Sequence, residues 1–306
     1  MPVPEDRRQG RGRLFVVASP IGNLGDLSPR AREVLAEADL IAAEDTRRSG
    51  RLLAHLGLDR PLTSCHRFNE ARSIERFLRE LGRSKTLVLI SDGGTPAISD
   101  PGYRLVAAAA EAGYEVIPIP GPCAAAAALS VAGFPAERFT FRGFLPSRRT
   151  ARRKEIRKLE QITETVVLYE APHRVLECLE DLAEEFPSRP MVLCRELTKL
   201  HEELLRGSTM EITEKLAGRE KILGEIVIVL GPVPRHHASD APRVSKLDRA
   251  SREALERRFR EALEREGGDE KRALRLLSRE LALPRAEVKS LLQRQRPTEP
   301  EPSGDD

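Results

Sequence analysis

Ser91-Asp92-Gly93-Gly94-Thr95-Pro96-Ala97-Ile98-Ser99-Asp100-Pro101-Gly102 follows the apolar run 86–90 and precedes a segment rich in Ala and Val. That order places the loop at the carboxyl end of a buried strand, where open α/β sheets bind ligands. Its Gly and Pro residues shape the backbone for close approach by a ligand. Asp92, Thr95 and Ser99 offer hydrogen bonds to it. An ordinary strand-to-helix connection needs only about two to six residues. The length and definition of this loop therefore argue for binding.

The flanking sequence supplies the rest of an α/β domain. Upstream, 14–19 reads as a buried strand and 20–28 as a turn-rich loop, and Ser28 with Pro29 starts a helix that Ala31, Val34, Leu35 and Ala38 continue. A short strand at 40–43 ends at Glu44-Asp45-Thr46-Arg47, and a helix through Leu52, Leu53 and Leu56 stops at Gly57. A strand at 62–65 and a helix marked by Ile74, Phe77, Leu78 and Leu81 lead to the central strand, and 116–119 reads as the strand that follows the loop's helix. This alternation predicts a parallel, doubly wound domain over 13–120.

Pro120-Gly121-Pro122 breaks the pattern as a hinge. After it, a helix of small residues (123–132) precedes strands at 139–144, 165–169, 191–197 and 225–230, with 202–206 as a fifth candidate. Helices near 150–160, 172–185 and 211–217 separate them, giving a second α/β domain, 121–232, with a mixed sheet. A polar linker (233–247) leads to a helical module, 248–295, of helix-turn-helix size. Its parts are a charged helix at 248–265 and short helices at 269–280 and 284–294. The ends, 1–12 and 296–306, read as disordered.

The 306 residues suit two or three domains, and 40% apolar content suffices for their cores. A net charge of +3 does not by itself announce a nucleic-acid partner. Cys65, Cys123, Cys178 and Cys194 form no CxxC and have no His at zinc-ligand spacing, so no metal is expected. Cys65, Cys178 and Cys194 lie in apolar runs and read as buried. The first residues are polar and Arg-rich, and no apolar run is long enough for a membrane span. A soluble, cytoplasmic protein is expected.

Common nucleotide and hydrolase signatures are missing. There is no P-loop, the loop at 20–27 is not Gly-x-Gly-x-x-Gly, and no Gly-x-Ser-x-Gly elbow with its triad occurs. Instead, Pro20-Ile21-Gly22-Asn23-Leu24-Gly25-Asp26, Ala43-Glu44-Asp45-Thr46-Arg47, the 91–102 loop and Pro120-Gly121-Pro122 resemble the tetrapyrrole-methylase superfamily. Phe141-Arg142-Gly143-Phe144-Leu145-Pro146, Tyr169-Glu170-Ala171-Pro172-His173-Arg174 and Arg195-Glu196-Leu197-Thr198-Lys199 narrow the resemblance to its small-subunit ribosomal RNA methyltransferase I family, over 14–231.

The resemblance implies S-adenosylmethionine as methyl donor, bound in the cleft between the two α/β domains. The implied acceptor is the 2′-hydroxyl of a cytidine in the decoding region of 16S ribosomal RNA, within the assembled small subunit. The implied oligomer is a homodimer. On this chain the donor site takes Pro20 and Ile21 as one wall and Asp92, Gly93, Thr95, Pro96 and Ile98 as the main loop. Pro122, Cys123 and Ala124 come from the hinge, and Tyr169, Glu170 and Ala171 from the second domain.

Methyl transfer requires the ribose oxygen to be aligned with the donor carbon and water to be excluded. It also requires a base, because a 2′-hydroxyl is a poor nucleophile until its proton is removed. Asp45, His66, Glu170 and His173 are candidates. Each has a structural alternative: a helix cap for Asp45, a surface turn for His66, an ion pair with Arg174 for Glu170, and a solvated helix end for His173.

Arg148, Arg149, Arg152, Arg153, Lys154, Arg157 and Lys158 share a segment with a single acid, Glu155. With balancing acids missing from the segment, it reads as the RNA contact rather than a solvated helix face. The run 252–265 alternates Arg with Glu and reads as a salt-bridged helix. Two rival readings are a tetrapyrrole methylase on the same scaffold and a non-catalytic RNA-binding protein of ribosome assembly. Against the first, porphyrin carboxylates need neither the basic segment nor the helical module.

Overall fold

The computed structural model describes residues 12–66, 69–232, 249–281, 288, 289 and 292. The first domain is a parallel sheet of β1 (Arg13–Val17), β2 (Leu40–Ala43), β3 (Leu62–Ser64), β4 (Thr86–Ile90) and β5 (Glu115–Ile119), in the order β3-β2-β4-β1-β5. Both of its faces are covered, which explains the continuous apolar run of β4. Val88 and Ile90 point to one face and Leu87 and Leu89 to the other. On the first face lie α1 (Pro29–Glu37) and α2 (Thr46–His55), which contribute Ala31, Leu35 and Leu53. On the second lie α3 (Glu70–Gly82) and α4 (Tyr103–Glu111), which contribute Phe77, Leu81, Leu105 and Ala109. Ser28 caps α1 with Pro29 in its first turn, as its sequence predicts.

The chain leaving β1 runs through α1 toward β2, whereas the chain leaving β4 runs through α4 toward β5 on the opposite side. The carboxyl ends of β1 and β4 therefore flank a topological switch point, the place where such sheets bind ligands.

The second domain holds β6 (Phe139–Phe144), β7 (Thr165–Glu170), β8 (Pro190–Arg195), β9 (Glu203–Ser208) and β10 (Ile226–Leu230), in the order β6-β7-β10-β8-β9. The sheet is mixed, because β6 runs parallel to β7 and the other pairs are antiparallel. The small residues Ala125, Ala128 and Ala132 let α5 (Ala124–Ala132) lie close on one face, against Val167, Cys194 and Val227. The other face is covered by α6 (Arg149–Lys158), α7 (Val175–Glu185) and α8 (Thr209–Ala217) through Ile156, Leu179, Leu182, Ile212 and Leu216.

Beyond the linker, α9 (Arg249–Arg265) and α10 (Glu270–Leu281) pack through Leu255, Leu274 and Leu277, with Val288 completing the cluster. Arg275 reaches Glu184 of α7 at 3.6 Å. The linker at 233–247 and the tail at 296–306 lie outside the described residues, as does most of 284–294. One expectation needs correction at the amino end. The expected disordered stretch 1–11 lies outside the described residues, but Gly12, counted with it, is buried and donates to the Leu81 carbonyl at 3.2 Å, so it belongs to the first domain. A Cβ on Gly12 would lie 2.2 Å from that carbonyl oxygen, and only glycine allows the approach.

Candidate active site

A cleft of about 450 Å³ opens at the switch point, between the two domains. Its size suits a small-molecule ligand. The 91–102 loop forms its first wall. Ser19 and Gly94 exchange backbone hydrogen bonds of 2.9 and 3.0 Å, and the Ser19 hydroxyl donates to the Ser91 carbonyl at 3.2 Å. Ala97 (φ 67°) and Ser99 (φ 65°) hold the left-handed conformation that L residues rarely adopt. Strain of this kind clusters at binding and catalytic loops. Thr95 donates to the Pro122 carbonyl at 3.1 Å, which ties the loop to the hinge.

The second domain supplies the opposite wall. The Tyr169 hydroxyl accepts from the Ala125 N–H at 3.1 Å, which fixes the start of α5. Thr198, after β8, accepts from the Asn23 N–H at 3.1 Å, so the Arg195–Lys199 motif meets the Pro20–Asp26 loop across the domains.

Among the charged groups of a largely apolar lining, acids dominate. Glu44, Asp92, Asp100, Glu170 and Glu225 face it, with Arg48. Asp92 accepts the Asp45 N–H at 2.9 Å and pairs with Arg48 at 3.4 Å. Burial, and then the charge of Glu44, push the Asp100 carboxyl up to about 6. Burial also drives the Tyr169 hydroxyl upward, so it stays protonated. Glu170 borders the cleft, but its carboxylate is buried on the side of α7, where Oε1 accepts from Ala171 N–H (2.7 Å) and Arg174 Nε (2.5 Å) and the Cys178 thiol bonds the same carboxylate. An acid-lined cleft of this volume fits a cationic donor such as S-adenosylmethionine.

Most of the expected donor residues meet here. Ile21, Asp92, Gly93, Thr95, Ile98, Cys123, Ala124, Tyr169, Glu170 and Ala171 line the cleft. Pro20, Pro96 and Pro122 do not. Pro96 is buried, and the Pro20 and Pro122 carbonyls back Gly93 and Gly94, behind the lining of the cleft. Among the four base candidates, Glu170 alone lines the cleft. Asp45 caps α2 and grips Arg47, whose hydrogen bonds hold its carboxyl down at about 2. His66 lies in the turn before α3, where its N–H donates to Asn69 at 2.7 Å. His173 is exposed in the turn before α7.

The sequence reading missed Glu44, Asp100, Phe144, Leu197, Glu225, Ile226 and Val227 as lining residues. Glu44 and Asp100 sat inside the quoted motifs. Residues 225–227 carry no local signal, because only the pairing of β10 between β7 and β8 brings them to the cleft.

The basic segment is also different from its sequence reading. The acids missing from the segment come from α7. Arg149 and Arg152 pair with Asp181 at 3.0 and 2.8 Å, Arg153 with Glu184 at 2.8 Å, and Arg157 with Glu185 at 3.7 Å. Lys158 pairs with Glu155 at 2.6 Å. Arg152 is fully buried, also binding Glu177 and the Ser147 carbonyl, and cannot reach RNA. Exposed Arg148 and Lys154 make no ion pair among the described residues.

Residues 13–213 match the family model of tetrapyrrole (corrin/porphyrin) methylases. A Xylella fastidiosa protein named ribosomal RNA small subunit methyltransferase I is 50% identical over 72% of this chain and 81% of its own length. The Pseudomonas aeruginosa and Escherichia coli O157:H7 proteins of that name are 47% and 44% identical over 72% of this chain and 78% of theirs. The fold matches solved diphthine synthase (TM-score 0.56, 17% identity, 72% of this chain, 90% of that one). It also matches Thermus thermophilus uroporphyrin-III-C-methyltransferase (TM-score 0.51, 22% identity, 73% and 93%). The interdomain cleft, the motifs that build it and these similarities together show that the chain belongs to the tetrapyrrole (corrin/porphyrin) methylase family, on the branch of proteins named ribosomal RNA small subunit methyltransferase I.

Proposed function

We propose that this enzyme methylates the ribose 2′-hydroxyl of a cytidine in the decoding region of 16S ribosomal RNA. The observation that carries the reading is the acid-lined cleft between the domains, walled by the 91–102 loop on one side and by Tyr169–Ala171 on the other. The names of its relatives support ribosomal RNA as the substrate. When bound, S-adenosylmethionine supplies an electrophilic methyl on a sulfonium.

The protein's residues do the rest. The 91–102 loop and Cys123–Ala124 cradle the donor, with Asp92 and Asp100 as the anionic counterparts of its positive charge. Ile21, Ile98, Leu197 and Val227 present apolar surface that excludes water. The 2′-hydroxyl gives up its proton to a base as the oxygen attacks, so that no alkoxide forms free. Positioning of the two reactants supplies much of the remaining rate.

On the RNA side, Arg148 and Lys154 are the cations of the basic segment left to meet phosphate. The finer reading is a homodimer working in the cytoplasm on the assembled small subunit. Among the described residues, no helix is long and apolar enough to cross a membrane.

The test incubates the protein and methyl-labelled donor with small subunits, naked 16S RNA and a uroporphyrinogen in parallel. Label in RNA, greatest with assembled subunits, supports the reading. Label only in the tetrapyrrole refutes it.

A further inference from the structure

Phe144 lines the cleft, yet 54% of it is exposed. Its direction is built into β6. The pairing of β6 with β7 shifts register between Phe141 and Gly143, so Phe141 sits opposite Val167 and Phe144 opposite Tyr169. In an uninterrupted strand, residues three apart face opposite ways. The bulge at Arg142 instead brings Phe141 and Phe144 to the face of Tyr169, a re-aiming that bulges commonly perform beside active sites.

Both rings then meet Tyr169 edge-on, with centroids 4.9 and 5.7 Å away and planes at 71° and 65°. The Arg174 guanidinium lies 5.9 Å from the Phe144 centroid and is itself fixed by Glu170. Phe144 is thus a ring held from its edge and from one side, with over half its surface open to the cleft mouth. Elsewhere in the cleft lining, the acids Glu44, Asp92, Asp100 and Glu225 disfavour phosphate. What suits this surface is a flat, uncharged ring, and nucleobases stack on such exposed aromatic side chains.

We propose that Phe144 is the shelf on which the acceptor nucleobase stacks, a positioning residue that sets the ribose hydroxyl in the cleft. This rests on the RNA reading above. The chain contains no tryptophan, so Phe144→Trp places a single tryptophan at the shelf, whose emission is excited apart from the tyrosines. Two measurements test it.

The first is methylation of small subunits by Phe144→Leu and Phe144→Trp. The Leu variant should raise KM for subunits about 5- to 160-fold with donor affinity unchanged by calorimetry, and Trp should restore it. The second is Phe144→Trp emission titrated with oligocytidylate and with an abasic ribose-phosphate oligomer of equal length. Quenching by the first and not the second supports stacking.

The shelf is overturned by a Leu variant with unchanged KM or by equal quenching from both oligomers. It is also overturned by emission that follows protein concentration alone, which would mean a second copy covers the ring. Should the unmodified protein methylate no RNA, the functional reading fails, and the quenching still decides for or against base stacking.

Discussion

Asp181→Ala tests the correction to the basic segment. Asp181 and Arg152 are both fully buried and 2.8 Å apart. Arg149, on the other carboxylate oxygen at 3.0 Å, is 63% exposed. Loss of the Arg149 contact costs at most about 1 kcal/mol, because solvent screens it. Loss of the Arg152 contact strands a buried guanidinium with Glu177, itself 66% exposed, and the Ser147 carbonyl. Breaking one side of a buried pair costs about 3–5 kcal/mol. A total near 4 kcal/mol, divided by a urea dependence of about 2 kcal/mol per M, lowers the unfolding midpoint by about 2 M. Replacing both partners, Arg152→Met with Asp181→Leu, should recover most of this, because no buried charge remains. Far-UV circular dichroism in urea measures the midpoints. A single variant within about 1 kcal/mol of the parent refutes the structural role of the pair.

Asp100→Asn should weaken donor binding. In the parent protein, affinity should fall as pH drops through about 6, because the carboxylate that faces the cationic donor is then protonated. The effect on folding has the opposite sign. A raised carboxyl pKa subtracts from stability at neutral pH, and that cost is relieved as pH falls through 6 toward the unfolded value. Calorimetric donor titrations and urea midpoints between pH 5 and 8 read both effects, and pH-independent donor affinity contradicts the assignment. Gly143→Ala places a Cβ 2.8 Å from the Ser99 hydroxyl at φ 59°, and should cost about 1–3 kcal/mol and loosen the donor loop. Unchanged stability and donor affinity in that variant would show that β6 does not brace the loop. Arg148→Gln with Lys154→Gln should make the slope of log RNA affinity against log salt shallower by about 0.7–0.9 per lost contact. An unchanged slope moves the RNA face elsewhere.

The first domain was legible in the sequence because its signals are local. The β4 run, Ser28-Pro29 and the Gly/Pro-shaped loop each declare their structure within a few residues. The donor residues from Ile21 to Ala171 followed from a resemblance carried by contiguous motifs, and the structure brings most of them together. What stayed hidden depends on contacts distant in sequence. The acids that neutralise α6 sit some thirty residues downstream on α7, on the ladder Asp181, Glu184 and Glu185, so a count within the segment could not find them. The floor at 225–227 depends on strand order, and the exposure of Phe144 on a one-residue bulge. His66 and His173 drew attention as titratable residues near motifs, and proximity in sequence did not bring them to the cleft.

The central claim is transfer of a methyl group to a ribose oxygen of ribosomal RNA. Small subunits lacking the modification, incubated with this protein and labelled S-adenosylmethionine, can be digested to nucleosides and separated by mass spectrometry. One cytidine should carry the added methyl on its ribose, with the released base unmodified. A methyl on the base, or a tetrapyrrole that accepts the label while the RNA stays bare, contradicts the claim.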